Sequence, residues 1–129
     1  MAVISSGQIT IIDMYDAPVL NAWISASQTT TQTYNNTTQV YTPNYATSAQ
    51  VLTLNLTKAG SASSLIGGQV KNVRWFKRVG TTTTEITSTE TTVTEYKSGT
   101  SGSVLTTKVN VPTANNAIIW SVEGIWTDP

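Results

Sequence analysis

Two carboxylates held on either side of a bond are the smallest apparatus for acid/base hydrolysis of a glycoside, and Asp13 and Asp16 are close enough in sequence to be weighed for it. Alternation around Pro18 does not aim the two at one point, so a turn or surface role is expected for both. Glu85, Glu90 and Glu95 are spread along polar segments with no partner visible in the sequence. The chain contains no His and no Cys, which excludes histidine-dependent zinc sites, Ser-His-Asp triads and Cys-His nucleophiles within it. Thr81 to Thr84 supply hydroxyls without an adjacent base, and Gly67-Gly68 lacks the spacing and strand-to-helix setting of a phosphate loop. Neither a metal nor an organic cofactor is implied, and the expected role is non-enzymatic.

Recognition chemistry has better material. Tyr34, Asn35, Asn36, Tyr41, Asn44 and Tyr45 fall in one polar stretch, where rings can stack and amides can hydrogen-bond. That set suits a glycan or a protein contact, and it equally suits the anchoring of a long loop against a domain. Lys71, Arg74, Lys77 and Arg78 concentrate positive charge around Trp75 and Phe76, but strand alternation divides them between two faces. With seven basic and seven acidic residues, the formal charge is zero, and no nucleic-acid surface is expected.

The elements that must position these residues read as strands. β-Branched, aromatic and hydroxyl side chains alternate through most of the sequence, and no long amphipathic helix stands out. Gln8 to Asp13 is a short extended segment that either pairs at an edge or extends as an inter-domain arm. Met14 to Pro18 changes direction. Val19 to Ala26 is a strand with Leu20, Ala22, Ile24 and Ala26 on one face and Val19, Asn21, Trp23 and Ser25 on the other, and either face can be the inward one. Gln28 to Ala49 is a long irregular connection.

Gln50 to Thr57 alternates most clearly, placing Leu52, Leu54 and Leu56 in the core. Val70 to Val79 sends Val73 and Trp75 inward, and Phe76 to the opposite face. Thr81 to Ser88 and Thr91 to Tyr96 are weaker, edge-like strands. Val104 to Val111 contributes Leu105 and Val109, Pro112 stops it, and Ala117 to Val122 contributes Ile118, Trp120 and Val122. The expected product is an all-β, predominantly antiparallel sandwich without a disulfide, parallel pairing being unexpected without helical crossovers. The start of the chain lacks the basic and apolar regions of an export signal, and no apolar run is long enough to span a bilayer, so membrane insertion is not expected.

Two sets of residues carry a family resemblance. Ser6-Gly-Gln-Ile-Thr-Ile-Ile-Asp13 followed by Asp16-Ala-Pro18 resembles the approach segment of tail-associated structural or host-adhesion proteins of tailed bacteriophages of Gram-positive bacteria. Gln50 to Leu56, Arg74-Trp-Phe-Lys77 and Ile118 to Val122 resemble the B, C and F strands of an immunoglobulin-like domain, with Trp75 as the central tryptophan and Leu54 and Val122 where the disulfide cysteines often stand.

The resemblance implies an approach segment or arm over 1–18, an immunoglobulin-like sandwich over 19–126 and a terminal junction over 127–129. It further implies a module of a phage tail, tail fibre or baseplate, assembled in the host cytoplasm into the virion. Its partners would be other tail or baseplate proteins, with a homo-oligomer compatible with appendage symmetry. Direct binding of a bacterial surface polysaccharide is the alternative function.

Overall fold

The structure is a computed structural model that describes residues 2–3, 7–13, 20–113 and 117–126. The turn expected over Met14 to Pro18, with Asp16 in it, and the junction over 127–129 lie outside the described residues.

The strands, in chain order, are β1 (Ala2–Val3), β2 (Gly7–Asp13), β3 (Leu20–Ala26), β4 (Thr31–Asn35), β5 (Val40–Thr42), β6 (Gln50–Lys58), β7 (Val70–Val79), β8 (Thr82–Ile86), β9 (Glu95–Ser98), β10 (Val104–Thr107) and β11 (Ile118–Trp126). One 3-10 turn, Thr100–Gly102, joins β9 to β10. The all-β reading holds. Two four-stranded sheets form, in the orders β3-β6-β10-β9 and β2-β11-β7-β8, and a three-stranded sheet runs β1-β4-β5.

Burial follows the period of two along β6, where Leu52, Leu54 and Leu56 are buried and the residues between them are half-buried. From the other sheet come Val73, Trp75, Ile118, Trp120 and Val122, all buried, with Val122 directly opposite Trp75. Leu105 is buried as well, and Val109 packs partly buried against the same cluster. The Trp75 indole N–H donates to Gly102 O at 2.8 Å, which satisfies its polar atom inside the core. Each fully buried aliphatic side chain contributes about 1.5–3 kcal/mol before entropy is subtracted, so packing can hold the sheets together in a chain without cysteine.

Four features depart from the sequence expectation. Val70 and Val73 are both buried although their spacing is odd, because Asn72 takes a positive φ of 55° and the pairing with β11 shifts register between Glu123 and Ile125. A bulge inserts one residue and flips the parity beyond it, and Asn tolerates that backbone better than most residues. The pairing is not wholly antiparallel, since β2 runs parallel to β11. No helical crossover is needed, because the rest of the domain connects the two strands. The strand expected over Thr91 to Tyr96 lies later, at Glu95–Ser98, and the Val104 strand ends at Thr107 rather than Val111.

The fourth departure is the connection near 28–49, which is partly regular. β4 and β5 form a hairpin, and β1 pairs with β4 beside it. Thr and Tyr favour extended backbone, and Asn35 closes the turn with its carboxamide oxygen accepting from Thr37 N and Thr38 N at 2.9 and 3.1 Å.

Candidate functional site

The hairpin and the segment after it form a pole of the sandwich built on buried amides. Gln32, 1% exposed, donates to Pro43 O at 2.8 Å and to Asn110 Oδ1 at 2.6 Å, while its own oxygen accepts from Val111 N at 3.0 Å. Asn110 Oδ1 also accepts from Tyr45 N at 2.9 Å, and its amide nitrogen donates to Asn44 Oδ1 at 3.1 Å. Gln50 is the second anchor. Its oxygen accepts from Ser27 Oγ and Gln28 N, and its nitrogen donates to Gln28 O and Thr29 O. Two glutamines thus fasten a connection that lacks the apolar content to hold itself.

The six candidate contact residues divide by exposure. Tyr45 is fully buried, and its hydroxyl donates to Thr29 O. Tyr41 donates to Val111 O at 2.7 Å and meets Tyr34 across the hairpin, with ring centroids 4.7 Å apart and planes tilted by 50°. Desolvation pushes the Tyr41 and Tyr45 phenols above their ordinary pKa, with the neighbouring Tyr34 adding to the shift at Tyr41. Asn44 turns its carboxamide oxygen onto Ala46 N as well as Asn110, and Asn35 caps the hairpin turn. These side chains hold the pole together. The surface they present is the hairpin tip, Asn36 to Val40, where Val40 is 49% exposed. Sequence reasoning missed Gln32, Gln50 and Asn110, because an amide in a polar stretch carries no local sign that it will be buried.

Charged residues gather elsewhere. Arg74, on the outer face of β7, pairs with Glu85 at 2.9 Å and Glu123 at 3.4 Å, and its guanidinium lies 5.2 Å from the Phe76 ring centre. Its hydrogen bonds and charge hold the Glu85 carboxyl below the usual carboxylate range. Lys77 and Glu95 form a partly buried pair at 2.8 Å, leaving Glu95 Oε2 buried without a hydrogen-bond partner among the described residues.

Glu85 and Glu95 both line a shallow groove with Ile86, Thr87, Ser88, Val93 and Thr94, a proximity the sequence did not disclose. Each carboxylate is already matched to a cation, and Arg74 lowers the Glu85 pKa, the opposite of what a general acid requires. Among the described residues there is no group of three or more acidic side chains placed to hold a metal ion, and no helix long and apolar enough to cross a membrane. No family model, curated protein or solved structure matches the chain.

Proposed function

We propose that the chain is a non-enzymatic structural module of a phage tail, tail fibre or baseplate, with an immunoglobulin-like sandwich as its rigid body and host-recognition components as its neighbours. The observation that carries this is the parallel pairing of β2 with β11, from Gly7 beside Trp120 to Asp13 beside Trp126. Because the two strands run the same way, the start of β2 and the end of β11 lie at opposite ends of the sheet. With about 3.3 Å of rise per residue, they are roughly 20 Å apart. A body gripped at opposite ends sets the distance between its two neighbours, as a spacer must.

Strand order supports the immunoglobulin-like part of the reading. The order β3-β6-β10-β9 would correspond to A-B-E-D, with β7 and β11 as C and F, while β2 lies beside β11 where a G strand would lie but runs parallel to it. The clamped pole, with its exposed hairpin tip, would be the face offered to a neighbouring tail protein. The test is a density map and protein inventory of purified particles made from the genome that encodes this chain. Density for the sandwich in the tail or baseplate is the expected result, and absence of the chain from purified particles overturns the reading.

A further inference from the structure

We propose that β3 is the seam of a symmetric dimer, in which two copies join edge to edge and fuse their four-stranded sheets into one. Among the described residues the strand is outermost in its sheet, and it pairs with β6 over seven successive positions without a register shift. Exposed sheet edges are usually guarded by charge, proline, a bulge or brevity. Leu20–Ala26 has none of these. The opposite edge of the same sheet does, since β9 is four residues long and carries Glu95 and Lys97. Five of the seven β3 residues are exposed, and Trp23, at the centre, is 48% exposed.

The backbone fixes what such an edge would accept. Ser27 N donates to Val51 O at 2.9 Å, in the register that pairs Ser25 with Thr53 and Trp23 with Asn55. Hydrogen-bonded and non-hydrogen-bonded pairs alternate in an antiparallel ladder, so Asn21, Trp23 and Ser25 direct their N–H and C=O groups at β6. Leu20, Ala22, Ile24 and Ala26 therefore direct theirs away from the sheet. A two-fold axis through Trp23 is the register that engages all four, matching Leu20 with Ala26 of the second copy and Ala22 with Ile24.

Side chains agree with that register. Trp23 meets its own copy as a non-hydrogen-bonded pair, with Cα atoms about 4.5 Å apart, where cross-strand aromatic contacts are favourable. On the same face, Asn21 meets Ser25. On the inward face, aliphatic side chains meet aliphatic ones, and the small Ala22 and Ala26 leave room for Ile24 and Leu20. No charged residue lies in β3 and the chain's formal charge is zero, so nothing electrostatic opposes the approach.

The chain has no cysteine, so a single introduced thiol reads the register directly. The full-length wild type should show twice the monomer mass by light scattering. Trp23→Cys should cross-link to itself on mild oxidation. Asn21→Cys should not, since its own copy lies about 13 Å away along the strand, but it should cross-link when mixed with Ser25→Cys. Ile24→Pro, which deletes an outward N–H and leaves the β6 ladder intact, and Trp23→Lys, which sets two ammonium groups face to face, should both give monomers with unchanged circular dichroism. A wild type that stays monomeric at its highest soluble concentration overturns the proposal. So does a dimer that survives either substitution, or Asn21→Cys cross-linking to itself as readily as Trp23→Cys.

Discussion

Replacing Gln32 by Leu tests whether the connection is held by its buried amides or merely rests on the sandwich. The two side chains are similar in size, so the change removes hydrogen bonds with little loss of volume. Three are lost, to Pro43 O, Asn110 Oδ1 and from Val111 N. Gln32 is buried, and its former partners would stay buried beside an apolar group. At about 1 kcal/mol net per bond, the loss is about 3 kcal/mol, and larger if the orphaned groups find no water. For a domain of this size that lowers Tm by about 10 °C. Urea unfolding followed by tryptophan fluorescence measures it, with Thr31→Ala on the exposed side of the same strand as control. Because no ionised group takes part, the deficit should be the same at every pH where the fold persists. A loss below about 0.5 kcal/mol, within the range of ordinary surface changes, would refute the clamp.

Lys77→Met leaves Glu95 largely buried without its cation and should cost about 3 kcal/mol, and adding Glu95→Gln should restore most of it in a double-mutant cycle by chemical denaturation. Glu85 has a folded pKa lowered by Arg74, so its contribution is present above the unfolded value of about 4.5 and is lost as pH falls through the folded one. Acid titrations of stability should therefore be shallower in Glu85→Gln, and the difference should shrink in high salt. Tyr41 and Tyr45 have raised pKa values, so their contribution is full below the ordinary value of 10.0 and declines as pH rises through the folded values. Tyr41→Phe should flatten that alkaline decline in circular dichroism melts. Gly102 has φ +76°, and a Cβ there would lie 3.3 Å from Val73 O. Gly102→Ala should thus cost about 1–2 kcal/mol and red-shift the emission of Trp75, whose indole N–H donates to the Gly102 carbonyl.

The class of fold and much of its centre were legible in local alternation alone. Leu52, Leu54 and Leu56, and Val73 with Trp75, are separated by two, and that period puts them on one side of a strand whatever the strand meets. Three-dimensional packing decided everything that needs a partner far along the chain. Val70 is buried because a bulge opposite Gly124 resets the parity, and Tyr45 is buried because residues 29 and 110 close over it. Gly7–Asp13 became a sheet strand rather than an arm because β11 offered it an edge. Gln32 and Gln50 became anchors only where distant backbone groups converged on them. Local alternation records which way a side chain points, whereas partner, register and polar satisfaction are properties of pairs, and a single sequence position carries only its own half of each pair.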